Sequence, residues 1–282
     1  SDINNSGLLQ SNKNIAILSN TVHNSGSIKG GDQLIMNAKI ATNNGAIISN
    51  GNLNLDLTHQ YINNGALYSN AAANIAAKTI KNNGQIKASG NVSLATTSMH
   101  QDGLVFTSRN AFITASNYNQ TNALVALGNI SLTSDEFVQS GTVQADGSIS
   151  VIVNDHFNNN GQWFGDDISV NAANDFVNNG TLIASNKLAI DAATIENNRW
   201  LEGGGALVVG AKQFVNQQSG AVIAGSATYD IEESLINAGL LYSTGALEIN
   251  AENIENTNTK GSHLDDFTYG IQSYGSGRIT AS

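Results

Sequence analysis

A three-residue phrase, Asn43-Asn44-Gly45, returns as Asn63-Asn64-Gly65, Asn82-Asn83-Gly84, Asn159-Asn160-Gly161 and Asn178-Asn179-Gly180. Weaker copies fill the gaps, such as Asn24-Ser25-Gly26, Gln139-Ser140-Gly141, Gln218-Ser219-Gly220 and Asn237-Ala238-Gly239. Gln120-Thr121-Asn122 and Asn197-Asn198-Arg199 keep the amide and lose the glycine. The third position falls at 7, 26, 45, 65, 84, 103, 122, 141, 161, 180, 199, 220 and 239, in steps of 19 to 21 residues. A constant period of this size restricts the chain to repeat architectures, in which each unit buries its apolar face only against its neighbours.

The columns behind the marker select among those architectures. Two residues after it stand Leu9, Ile28, Ile47, Leu67, Ile86, Val105, Leu124, Val143, Trp163, Leu182, Leu201, Val222 and Leu241, all apolar. Eight and ten residues after it come pairs such as Leu34 and Met36, Leu53 and Leu55, and Leu188 and Ile190. Four residues before the next marker comes another apolar side chain, such as Ile80, Met99, Tyr118, Phe137, Phe157 or Phe176. The i, i+2 spacing puts each pair on one face of a strand, so a repeat offers about three short alternating strands. A helical solenoid needs apolar residues at i, i+3 and i+4 over ten or more positions, and the Asn-Gly punctuation leaves no such window. The expected fold is all-β, a right-handed parallel β-helix of about 13 coils of 19–21 residues over residues 1–256. At the usual strand spacing such a stack is a rod on the order of 60 Å long.

The position two before the marker is a carboxamide in every repeat: Asn5, Asn24, Asn43, Asn63, Asn82, Gln101, Gln120, Gln139, Asn159, Asn178, Asn197, Gln218 and Asn237, with Asn256 as the next. Stacked coil on coil, each amide carbonyl can accept from the next NH₂, which predicts an amide ladder. The glycine beside it is expected to supply a positive φ at a coil corner. Asn122 fits that expectation, because Asn tolerates the left-handed region; Arg199 does not.

Charge divides unevenly. Residues 1–110 carry seven Lys+Arg against four Asp+Glu, and residues 111–282 carry five against eighteen. A net charge of −10 and a pI near 4.7 argue against nucleic acid as a partner. The sequence has no Cys and no Pro, and no apolar run long enough for membrane insertion by a helix. It begins at Ser1 in mid-repeat and carries no signal peptide, as expected of an excised fragment.

Several stretches depart from the repeat. Trp163 takes the inward slot, which turns Phe164 outward. Leu201 keeps its inward slot, so Trp200 and Glu202 flank it outside, next to Arg199; an outward Trp beside an Arg is the composition of a contact hot spot or a sugar-stacking platform. Two extra residues enter between Phe214 and Gly220, and Tyr229 and Ile231 fall one position late. Lys78, Lys81 and Lys87 cluster within about one coil. After residue 256 the period fails, and 257–282 is expected to be a cap, a transition to another module or a disordered tail. For chemistry, Asp146 and Asp166 occupy equivalent turns, but no basic residue recurs beside them, and the five His show no metal spacing. No catalytic residue, metal or cofactor is expected.

Segments such as Asn43-Asn44-Gly45-Ala46-Ile47-Ile48-Ser49-Asn50-Gly51-Asn52-Leu53-Asn54-Leu55 resemble the repeats of filamentous haemagglutinins, the large exoproteins of Gram-negative two-partner secretion, which include adhesins, haemolysins and contact-dependent growth inhibition effectors. The resemblance covers roughly residues 4–256. It implies a β-helical shaft, an outer-membrane transporter as export partner, a place on the bacterial cell surface, and a target-cell receptor, protein or glycan, as the other partner. Phe164, Arg199, Trp200 and Glu202 are the expected surface contacts. A polysaccharide lyase or hydrolase built on a β-helix, or an inert spacer, are the other readings.

Overall fold

The computed structural model describes residues 1–257, 263–264, 267–268 and 270–281. Among them the chain is all strand, with no helix, and forms a parallel β-solenoid of about 13 turns. It divides into two compact units, Ser1–Asp135 with Gly141–Asp146, and Glu136–Ser140 with Gly147–Ser282.

In the first unit each coil has a four-residue strand after the marker and a ten- or eleven-residue strand before the next one, for example Ala46–Ser49 and Leu53–Asn63. The second and third expected strands are therefore one strand that bends, and its bend shows as register shifts at Ala38/Ile40 and Asp56/Gln60. The coils pair in parallel, and along the inward columns apolar residues stack on apolar residues. Ile47, Leu67, Ile86, Val105 and Leu124 form one column, and Met36, Leu55, Ile75, Leu94 and Ile113 another. These side chains are all buried, so each short strand's apolar face is covered by the coils on either side.

The second unit stacks longer strands. Gln162–Asn178, Thr181–Asn197, Trp200–Asn216 and Ala221–Asn237 each run 17 residues, almost a whole coil. One column reads Phe137, Phe157, Phe176, Ile195, Phe214, Leu235. Phe137 and Phe157 stack at 4.9 Å, and Trp163 packs against both rings. Tyr229 pairs with Val209 and Ile231 with Ala211, so they sit in slots one position further along than expected. The corner at Gly225-Ser226 is one residue shorter than its neighbour, and Ala227 takes the slot after it. Beyond residue 256, where the period breaks, Gly270–Ser273 pairs with Leu240–Ser243 and Gly277–Ala281 with Leu247–Ala251. The strands thus rejoin the stack. Of the expected cap, 258–262, 265–266, 269 and 282 lie outside the described residues.

Each unit carries an asparagine ladder; at Gln101 and Gln120 the expected amide-to-amide bond is replaced, Gln101 Oε1 accepting from the Tyr118 hydroxyl and both Nε2 groups donating to backbone carbonyls. In the first, Asn5 Nδ2 donates to Asn24 Oδ1, Asn24 to Asn43, Asn43 to Asn63 and Asn63 to Asn82, at 2.7–2.9 Å. Each of these donors also reaches a backbone carbonyl of the next coil, such as Gln85 O from Asn63. In the second, the donations run Asn159 to Asn178, Asn197, Asn216, Asn237 and Asn256. Gln218 is not part of this column: it is exposed in a turn, and Asn216 occupies the rung. The two inserted residues lie between rung and glycine, where Gly220 N donates to Gln217 O; counting back from the glycine therefore lands on the wrong amide.

The marker glycines also differ from expectation. Among the described residues only Gly270 has a positive φ, of 120°. At Gly26, Gly45, Gly65 and Gly84 the constraint is proximity: a Cβ would overlap the carbonyl oxygen of the glycine one coil below, and at Gly7 it would meet nothing. Glycine is required because backbone stacks on backbone at this corner.

Candidate contact site

In the second unit the strands after the marker lie in strict register, so residues alternate between core and solvent. Trp163, Leu182, Leu201 and Val222 point in and are buried. On the outside two columns run side by side. One reads Gln162, Thr181 and Trp200 and ends at Ala221, which is buried; the other reads Phe164, Ile183, Glu202, Ile223, Tyr242.

Trp200 is half-buried, and its indole Nε1 donates to Glu202 Oε2 at 2.9 Å. Residues i and i+2 share a face of a strand, which is why this pair meets. The bond fixes the ring plane on the surface. Trp163, two coils away, presents the opposite case: its ring is fully buried and its Nε1 has no partner.

Beside Trp200 lies a groove of about 590 Å³, lined by Thr181, Ile183, Asn179, Asn198, Arg199 and Ser219. Two departures from the repeat meet here. Arg199 stands at a marker position, exposed, and the two-residue insertion Gln218-Ser219 follows at the same corner one coil later. Ser219 Oγ closes that side by donating to Asn198 O at 2.8 Å. The far wall is ordered by stacked amides, with Asn198 Nδ2 donating to Asn179 Oδ1 at 2.8 Å. The groove thus combines an oriented aromatic ring, an aliphatic floor at Ile183, amide and hydroxyl groups, and one guanidinium.

The structure brings Arg199, Trp200 and Glu202 together. Phe164 is half-buried in the same outer column as Glu202, with Ile183 between them, and does not line the groove. Thr181, Ile183 and Asn179 were not singled out from sequence, although stepping back one period from 198–202 reaches them. Ser219 had no such signal, because it lies in the insertion.

Other polar groups on this unit are engaged between coils. Asp166 and Asp167 accept hydrogen bonds from Ser185 and Asn186. His156 lies 3.1 Å from Asp155 and 2.9 Å from Asp175, one coil apart, and Asn174 also donates to Asp155. Among the described residues no three His, Asp or Glu are grouped so as to hold a metal ion. Burial pushes the Tyr229 phenol up from its ordinary value of 10.

No curated protein and no solved structure matches the chain significantly. The profile of the Haemagglutinin repeat family matches residues 1–56, 36–111, 88–180, 167–228 and 204–282. Those overlapping matches run from the first residue to the last, over the whole stack of coils, and the chain belongs to the haemagglutinin-repeat family.

Proposed function

We propose that this chain is a non-catalytic shaft segment of a large secreted, cell-surface exoprotein, and that the groove beside Trp200 is where it contacts another cell. Membership of a structural repeat family of adhesin-like surface proteins supports the shaft role. The coincidence of Arg199, the oriented Trp200 ring and the Gln218-Ser219 insertion at one corner carries the contact role. A plain shaft repeats itself, whereas this corner interrupts the repeat and turns a half-buried indole and an exposed guanidinium toward one groove. Aromatic and arginine side chains dominate the energetics of contact surfaces. In this reading the partners are an outer-membrane transporter during export and a receptor, protein or glycan, on the target cell. The end served is adhesion or contact-dependent toxin delivery.

The test is binding of the labelled 282-residue chain to a panel of Gram-negative bacteria and epithelial cells, alongside Trp200→Ala and Arg199→Ala. Saturable binding that falls at least about tenfold in Trp200→Ala, with an unchanged circular dichroism spectrum, is the expected result. Binding unaffected by either substitution would move the contact elsewhere, and no binding to any cell would reduce the segment to a spacer. Bacterial targets point to toxin delivery and epithelial targets to adhesion.

A further inference from the structure

The phrase that organises the fold is also a chemical liability. In an Asn-Gly sequence the glycine backbone nitrogen can attack the asparagine side-chain carbonyl. A C–N bond forms, ammonia leaves, and the cyclic imide is opened by water to aspartate or isoaspartate. Glycine permits this because no side chain hinders the approach. The chain holds six such pairs, beginning at Asn44, Asn50, Asn64, Asn83, Asn160 and Asn179. All six asparagines are exposed, so exposure does not separate them.

Hydrogen bonding does. At five of the six the attacking N–H is already donated: Gly45 to Asn24 O, Gly65 to Asn43 O, Gly84 to Asn63 O, Gly161 to Asn159 Oδ1 and Gly180 to Asn178 Oδ1, at 2.9–3.3 Å. The same five asparagines have their side chains tied to the next coil. Asn64 donates to Asn44, Asn83 to Asn64 and Asn179 to Asn160, a second amide column outside the first. Each would have to release a held side chain and a held N–H before the ring could close. Asn50-Gly51 has neither restraint. It forms the turn between Ala46–Ser49 and Leu53–Asn63, and among the described residues neither the Asn50 side chain nor the Gly51 N–H has a hydrogen-bond partner.

We infer that Asn50 is a site of spontaneous deamidation in the folded protein, and that the stacked corner protects the five marker asparagines from the same reaction. The reaction needs only water. It places one negative charge in the 50–52 turn, and its isoaspartate product reroutes the backbone there through a side-chain carbon.

The test is peptide mapping by mass spectrometry after timed incubation of the whole folded chain at neutral to mildly alkaline pH, with a parallel sample held unfolded in urea. In the folded chain the peptide containing Asn50 gains about 1 Da, at a rate at least about tenfold above any marker asparagine, since one withheld hydrogen bond is about a tenfold factor. In urea all six sites react at similar rates. Asn50→Gln, at an exposed position without bonds to lose, removes the signal from the folded sample. Marker asparagines reacting as fast as Asn50 in the folded chain would overturn the inference. So would an Asn50 that stays intact, or a urea sample that keeps the same selectivity.

Discussion

Two stretches of the first unit solve the same corner with different amides. From Asn5 to Asn82 each rung bonds to the next rung, side chain to side chain. At Gln101 the side-chain bond goes to a tyrosine instead: Oε1 accepts from the Tyr118 hydroxyl, while Nε2 keeps the backbone contact that the asparagine rungs also make, donating to Ala123 O at 2.8 Å. Gln120 Nε2 likewise donates to Thr142 O at 3.0 Å. The apolar column beside the rungs changes with them. Tyr61 and Tyr118 occupy the same column, both fully buried, yet Tyr118 has a glutamine to bond and the Tyr61 hydroxyl has no partner. Beside Tyr61 the asparagine rungs are already occupied by one another. The extra methylene of glutamine is thus what lets a tyrosine hydroxyl be satisfied in the core.

The broadest way to stress this comparison is alkaline pH. Burial pushes the phenols of Tyr61, Tyr118 and Tyr229 up from their ordinary value of 10. Their folded-state pKa exceeds the unfolded one, so stability is intact below about pH 10 and falls above it, as the unfolded chain ionises first. Three such groups together should remove about 4 kcal/mol per pH unit above that point, read from urea unfolding at stepped pH. Phe at any one of the three should lower the slope by about a third.

Next in size is the ladder itself. Asn63→Ala leaves the buried Asn43 Nδ2 without its Asn63 acceptor and Asn82 Oδ1 without its donor, and should cost about 3 kcal/mol in urea unfolding. A cost below about 1 kcal/mol would mean the rungs only fill space. Tyr118→Phe orphans Gln101 Oε1 and should cost about 1.5 kcal/mol. Tyr61→Phe removes a hydroxyl that has no partner, and should be neutral or stabilise by up to about 1 kcal/mol. The opposite signs of the two tyrosine substitutions are the sharpest form of the comparison. Equal losses at both would break it.

Much of this was legible in the sequence, for a physical reason. A parallel in-register stack repeats each environment once per coil, so a buried column is a column of like residues, as at Ile47, Leu67 and Ile86. Features set by the relation between adjacent coils were less legible. The marker glycine reads like a turn residue, and only the stacking of its backbone over the coil below shows that space is the constraint. Counting from the glycine placed Gln218 on the ladder because an insertion between rung and glycine shifts the count without moving the strand. At the groove, the outward pair Trp200 and Glu202 followed from alternation alone. Its walls come from coils on either side, and Ser219 stands in residues that have no counterpart in other repeats.

The first unit's rungs have one further consequence. Each asparagine gives to one neighbour what it takes from the other, so a rung has the same bonding needs wherever it stands. Excising residues 64–82 would join Asn63 to Asn83-Gly84 and restore an intact Asn-Asn-Gly, with Ala46–Ser49 facing Gln85–Ala88 in place of Ala66–Ser69. Length in such a protein is a discrete variable: recombination between repeats can lengthen or shorten the stack by whole coils, about 4.8 Å at a time, without composing a new core.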